Sequence, residues 1–168
     1  MTLSLYQASA PVFIQGLKGM TTAVDKATAY IEERKLDPAA LLQARLFPDM
    51  FPFARQVQIA TDFAKGAMAR LAGDEPPVYE DADPDFIKLN ARIATTLTYL
   101  GGFQPIQIDG QEDREVTLVR RGESSVIKAQ PYLLQQALPN FYFHMTTAYA
   151  ILRHNGVPLG KKDYLGSV

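Results

Sequence analysis

Apolar residues recur at three- and four-residue spacing in four long stretches of the chain, which is the pattern of amphipathic helices. The spacing predicts helices over about Ser4 to Arg34, Pro52 to Leu71, Pro84 to Leu100, and from near Pro131 to Gly156. Pro11 lies inside the first stretch, so that helix either begins there or is kinked there. The tail after Gly156 has no such pattern and is expected to be irregular.

Capping residues mark where several of these helices are expected to begin or end. Asp37-Pro38 and Asp83-Pro84 each combine an N-cap side chain with a proline at the first helical position. The first pair predicts a short extra helix that carries Leu41, Leu42 and Leu46 and is ended by Pro48. The second pair predicts the start of the third long helix. Gly73 and Gly101-Gly102 are expected to end helices.

The period changes before the last helix. The runs Glu115 to Arg120 and Glu123 to Lys128 are rich in β-branched residues and flank the two residues Arg121-Gly122, a loop length typical of a tight hairpin. The predicted fold is therefore all-α, a four-helix bundle with a small β-hairpin inserted before the last helix. We expect residues 1–168 to form a single domain.

Composition narrows the classes of function. The net charge of -1 argues against strong binding to nucleic acid or to an anionic membrane. The chain contains no cysteine, which excludes disulfides and thiolate chemistry. The sequence begins without a signal peptide pattern, and no stretch approaches the ~20 apolar residues of a membrane span. A cytoplasmic protein is expected.

The last predicted helix carries the main candidate for a functional site. Asn140 and His144 lie four residues apart and share a helix face with the apolar residues Ala148, Ile151 and Leu152. Polar side chains thus occupy a face where a core is expected. A histidine in such a place is a metal ligand, an acid or base, or a hydrogen-bonded core residue.

Three segments resemble one bacterial family: Ser4 to Ser9, the Phe47 to Met50 turn that leads into Gln56 to Gln58, and Leu138 to His144. That family is the domain of unknown function DUF1993, which is placed in the DinB-like superfamily with thiol-dependent transferases. The resemblance extends over nearly the whole chain. It implies an up-down-down-up four-helix bundle and, frequently, a homodimer, but no assigned reaction.

The wider superfamily implies where a metal site would lie. Its pattern is one histidine in the second helix and a His-x-x-x-His pair in the fourth, which together hold a divalent metal. His144 matches the second member of the pair, Asn140 matches the first, and Gln56 fits the second-helix position best. At about 100° per residue, Gln56 lies about 60° from the centre of its apolar stripe, whereas Gln58 is expected to point away.

This set of one imidazole and two amides leaves three interpretations. Amide oxygens are weak ligands for Zn²⁺ or Ni²⁺, so a tightly held metal is not expected, and only Asp62 and Glu115 remain as additional carboxylates. The three side chains would otherwise hydrogen-bond one another, or form a pocket for a small organic molecule in which His144 exchanges a proton. A metal-dependent DinB-type transferase or hydrolase stays the alternative function.

Two further features bear on partners. Phe141, Tyr142 and Phe143 cannot all face inward, and those on the outer side favour contact with a second copy of the chain. The alternative is that they line a ligand pocket. His154 lies at the end of the last predicted helix and is expected to face solvent. No catalytic residue can be assigned from the sequence.

Overall fold

The computed structural model describes residues 3–80, 84–120 and 122–166, and these are mostly helical. The elements in chain order are α1 (Ala10–Arg34), α2 (Pro38–Leu42), α3 (Phe53–Ala72), α4 (Phe86–Gly101), α5 (Pro105–Ile108), β1 (Glu115–Arg120), β2 (Glu123–Lys128), α6 (Ala129–Tyr132), a π-helical turn (Leu133–Ala137), α7 (Leu138–His154) and α8 (Lys161–Leu165).

Helix α1 begins at Ala10, six residues after the start that periodicity suggested. Pro11 occupies its first turn, where the missing N–H costs nothing because that group has no partner inside the helix. The preceding residues form turns, in which the Ser9 hydroxyl donates to the Leu5 carbonyl at 2.7 Å. The proline therefore marks a helix start and not a kink.

The capping predictions hold with two corrections. The short helix α2 ends at Leu42, so Leu46 lies outside it and Pro48 does not end it. Asp37 accepts a hydrogen bond from the Ala39 N–H at 2.9 Å, and Gly73, with φ of 84°, ends α3. At α4, however, the N-cap is Asp85, which accepts from the Lys88 N–H at 2.7 Å. Asp83, the predicted cap, lies outside the described residues. Starting at Phe86 aligns the buried face of α4, which consists of Phe86, Leu89, Ile93, Thr96 and Leu100.

The predicted hairpin is confirmed with its bounds. β1 and β2 pair antiparallel from Glu115 opposite Lys128 to Arg120 opposite Glu123. Gly122 in the connecting turn has φ of 83°, a conformation that glycine adopts without strain. Val116 is 3% exposed, so one side chain of the hairpin enters the core.

Helix α3 lies at the centre of the packing. It contacts α7 and α4 along its length, while α1 packs against α4, α7 and α8. Its small residues Ala60, Ala64 and Ala67 are fully buried and allow neighbouring helices to approach closely. The α3–α7 interface brings together the two helices that carry Gln56 and His144.

The last helix and the tail differ from the prediction. The helical segment begins at Ala129, two residues before the predicted start at Pro131, and changes to π-helical bonding just before Pro139. A proline inside an α-helix lacks an N–H and crowds the preceding turn, and a wider turn relieves that conflict. The tail, predicted to be irregular, forms α8 after the buried Val157 and Leu159.

Candidate histidine–glutamine site

A hydrogen bond between His144 and Gln56 joins α7 to α3. The Nδ1 atom of His144 lies 2.7 Å from Oε1 of Gln56, a contact between residues 88 positions apart in sequence. His144 is 8% exposed and Gln56 is 1% exposed. The two side chains thus form a nearly dry polar contact within an apolar interface.

The orientation of the Gln56 amide fixes the tautomer of His144. The Nε2 group of Gln56 donates to the carbonyl oxygen of Phe51 at 3.0 Å, in the turn that leads into α3. Its Oε1 atom therefore faces the imidazole and can only accept, so Nδ1 of His144 carries the proton. In the neutral ring, Nε2 then bears the lone pair.

Aromatic rings and one cation surround the imidazole. Phe63 stacks on it with centroids 5.8 Å apart and an angle of 19°, and Phe143 meets it edge-on at 5.2 Å. Burial, with a smaller contribution from the positive charge of Arg55, lowers the pKa of His144 below its ordinary value. His144 is therefore neutral at pH 7, with the lone pair on Nε2.

Asn140 does not join this pair. It is half-buried, and its Nδ2 group donates to the carbonyl of Gln136 in the π-helical turn at 2.7 Å. The N–H of Leu138 bonds the carbonyl five residues back, and Pro139 has no N–H to donate, so the side chain of Asn140 supplies a donor to this turn. Of the three residues expected to meet, Gln56 and His144 do so, whereas the Asn140 side chain bonds to the preceding turn of its own chain segment.

The chemistry of these donors does not fit a divalent transition metal. The set contains a single imidazole, and the Gln56 oxygen already accepts a hydrogen bond from Nδ1 of His144. The Asn140 amide donates to the Gln136 carbonyl. Zn²⁺ and Ni²⁺ favour several imidazole or anionic ligands. Over residues 3–80, 84–120 and 122–166, no three His, Asp or Glu side chains are grouped so that they could hold a metal.

The two carboxylates considered as additional ligands belong to other polar contacts. Asp62 forms ion pairs with Arg92 at 2.7 Å and with Lys65 at 3.0 Å. Glu115 is exposed at the start of the hairpin, opposite Lys128. The positive partners of Asp62 already balance its charge, which further weakens the case for a metal at this site.

Gln58 departs from its predicted position. It was expected to point away from the core but is 7% exposed, and its Oε1 accepts from Arg55 at 3.2 Å. The reason is that α3 is covered on more than one side, so a single apolar stripe does not define its buried surface. A face of α3 that looks polar in sequence packs beside α4.

Three neighbours of the pair were not identified from the sequence: Phe51, Arg55 and Phe63. Phe63 lies seven residues after Gln56 and therefore two turns along the same face, which is a usable signal. The role of Phe51 is carried by its backbone carbonyl, to which side-chain identity gives no clue.

The aromatic run at 141–143 divides as expected. Phe141 is buried, whereas Tyr142 is 41% exposed and Phe143 is 56% exposed. His154, at the end of α7, faces solvent as predicted. The outer surface of α7 therefore presents aromatic rings beside the helix face that carries His144.

The helical fold with its short antiparallel hairpin is that of a DinB-type protein. A crystal structure of a DinB family member from Shewanella denitrificans is similar to this chain, with 41% sequence identity and a TM-score of 0.89. The similarity covers 98% of this chain and 93% of that one.

Residues 5–165 match the family described as a domain of unknown function, DUF1993, and the chain belongs to that family. A comparison with curated proteins found no match. No helix in the described part of the chain combines the length and apolar character needed to cross a bilayer.

Proposed function

We propose that this protein is a cytoplasmic four-helix bundle of the up-down-down-up type that binds a small organic molecule at His144, without a tightly held metal. The observation that carries the proposal is the chain of hydrogen bonds from the Phe51 carbonyl through Gln56 to His144. It holds a neutral imidazole in one tautomer at the edge of an apolar interface. A fixed, mostly buried acceptor is suited to recognising one donor group of a ligand.

The surroundings of His144 indicate the ligand chemistry. Nε2 accepts a hydrogen bond, and the lowered pKa of His144 keeps this acceptor available at neutral pH. The positive charge of Arg55 disfavours a cationic ligand. The exposed ring of Phe143 offers an apolar surface beside the imidazole. A neutral or acidic molecule with an O–H or N–H donor and an apolar portion fits these conditions best.

A thermal-shift screen of such molecules tests the proposal, because binding to the native state stabilises it by RT ln(1 + [L]/Kd), about 2.7 kcal/mol at a hundredfold excess over Kd. For a chain of this size, that corresponds to a rise in Tm of roughly 5–11 °C. The shift should be lost in His144→Ala and kept in His154→Ala, the matched control with an exposed histidine. An equal shift in both variants would place the ligand elsewhere and reject the site.

The alternative is the metal-dependent transferase or hydrolase that the superfamily suggests. Elemental analysis after adding back Zn²⁺ or Ni²⁺ separates the two functions. The proposal expects no stoichiometric metal after dialysis. Metal that is retained one-to-one by the native protein and lost in His144→Ala would favour the enzyme and overturn the proposal.

A homodimer is a second candidate role, favoured by the exposure of Tyr142 and Phe143 side by side on α7. Aromatic side chains are enriched at the buried centres of interfaces. Sedimentation velocity should then show a dimer that dissociates in Phe143→Asp. The control Ile106→Asp removes an apolar residue that is 89% exposed on α5, and it should leave the dimer intact. A monomeric native chain would refute this role.

A further inference from the structure

A cavity of about 270 Å³ lies between α1, α7 and the short α8, away from the His144–Gln56 pair. Its walls include Val12, Gly16, Tyr142, Met145 and Tyr164. None of the described residues that line it is charged. An engineered apolar cavity of roughly 150 Å³ holds benzene, so this volume is sufficient for a two-ring aromatic molecule.

A second, much smaller void of about 10 Å³ lies next to the cavity and shares Met145 and Tyr164 with it. Met145 is 2% exposed, and methionine is the side chain that adapts most readily to irregular space. The cavity can therefore adjust to a guest without moving the helix backbones.

Helix α8 forms one wall of the cavity. It contains no fully buried residue and makes three polar contacts: Lys26 to Asp163 at 2.8 Å, Gln15 to the Leu165 carbonyl at 2.6 Å, and the Tyr164 hydroxyl to Thr146 at 3.0 Å. The ring of Tyr164 also meets that of Tyr149 edge-on at 5.7 Å. Tyr142 and Leu165, which line the cavity, are 41% and 49% exposed, so the cavity is open to solvent.

Besides Gln15, whose Nε2 donates to the Leu165 carbonyl at 2.6 Å, the hydroxyl groups of two tyrosines line the cavity. Within the part of the chain that the structure describes, the hydroxyl of Tyr164 is engaged by Thr146, whereas that of Tyr142 makes no hydrogen bond to protein. Burial and the neighbouring Tyr164 raise the pKa of Tyr142, so its phenol remains protonated at neutral pH. It can donate to a guest.

We propose that the cavity beside α8 is a binding site for a neutral aromatic molecule of about two fused rings that accepts one hydrogen bond from Tyr142. Because the lining is uncharged, we expect a neutral ligand. The cavity volume fits a ligand of two rings, and the phenol of Tyr142 requires that the ligand carry a hydrogen-bond acceptor. This site is independent of the function proposed at His144, because the two lie on different faces of α7.

Quinoline is a suitable probe, with naphthalene as its counterpart of equal shape that lacks the acceptor nitrogen. Spectra of protein labelled with ¹³C at its methionine methyl groups would follow both titrations. The ring current of a bound aromatic should shift the Met145 methyl signal to saturation, whereas the Met50 signal should stay in place. Tyr142→Phe should weaken quinoline binding about 2- to 10-fold and leave naphthalene binding unchanged.

A filling variant makes the test decisive. Val12→Trp places a large side chain in the cavity from a half-buried position on α1 and should abolish the Met145 shift. The control Ile106→Trp adds the same ring at an exposed position on α5 and should bind quinoline as the native protein does. No saturable shift in the native protein, or a shift that persists in Val12→Trp, would overturn the proposal.

Discussion

Replacing Gln56 by glutamate should reverse the sign of the pH dependence that His144 gives to stability. In the native protein, the pKa of His144 is lowered on folding, so the unfolded chain binds the proton more readily. The free energy of unfolding therefore decreases as the pH falls below about 6.5, the ordinary histidine value. A carboxylate at position 56 would instead stabilise the protonated imidazole.

The magnitude follows from the contact distance. The Gln56 oxygen lies 2.7 Å from Nδ1 in a site that is almost dry. An opposite charge at this range moves a pKa by about 1–3 units, and each unit corresponds to about 1.4 kcal/mol. In Gln56→Glu, the His144 pKa should thus rise above about 6.5. The resulting stabilisation is fully present below that pH and is lost as the pH increases through the new folded value.

The measurement is urea unfolding between about pH 5.5 and 8, the range in which a histidine titrates, with His154→Asn as the background so that His144 is the only imidazole. The Gln56→Glu substitution also removes the donor to the Phe51 carbonyl, which lowers stability at every pH by roughly 1–3 kcal/mol. The quantity to compare is therefore the slope of the free energy of unfolding against pH, and not its absolute value. NMR titration of the His144 ring gives its pKa directly.

Gln58→Glu is the matched control, because Gln58 is also buried on α3 but contacts Arg55 and not His144. It should leave the sign of the slope unchanged over the same pH range. If Gln56→Glu and Gln58→Glu gave the same slope as the native chain, the Gln56–His144 contact would be refuted.

Two stability predictions concern the frame around the site. In Gly16→Ala, the new Cβ would lie 2.6 Å from the buried ring of Phe141, so we expect the free energy of unfolding to fall by about 1–3 kcal/mol. The control Gly101→Ala, whose Cβ would have nothing within 4 Å, should lose less in the same thermal unfolding measurement. Equal losses would contradict the close approach of α1 and α7. Asp85→Ala should cost about 0.5–2 kcal/mol because the Lys88 N–H loses its partner, and Asp85→Asn should restore most of it. An Asn variant as unstable as the Ala variant would show that the carboxylate charge, and not the cap, stabilises α4.

Local pattern was sufficient for most of the helical frame. Periodicity located the long helices, and the composition of the hairpin gave both strands with their bounds. Local pattern could not choose between Asp83 and Asp85 as the N-cap of α4, because both side chains have the same chemistry. The burial of Phe86 determines where the helix begins. Nor could local pattern find α8, whose position depends on Lys26 and on a close approach to Gly19, far away in sequence.

The site was predictable in part. Gln56 was placed inward from its angle on α3 and from the superfamily pattern, and it does meet His144. Asn140 was grouped with them because it lies one turn before His144 on the same helix and matches the superfamily pattern. The π-helical turn before Pro139 offers the Gln136 carbonyl as a nearer partner. Gln58 was misplaced because a one-stripe description does not suit a helix covered on several sides.

The amide of Gln56 has a consequence beyond the imidazole that it holds. It links His144 to the backbone of the turn before α3, where Phe47 and Phe51 are 63% and 55% exposed. We therefore expect that a ligand bound at the imidazole increases the order of that turn. Amide hydrogen exchange at residue 47 and at residues 49–51 should slow when His144 binds a ligand, so exchange in this exposed segment would report binding at the buried imidazole.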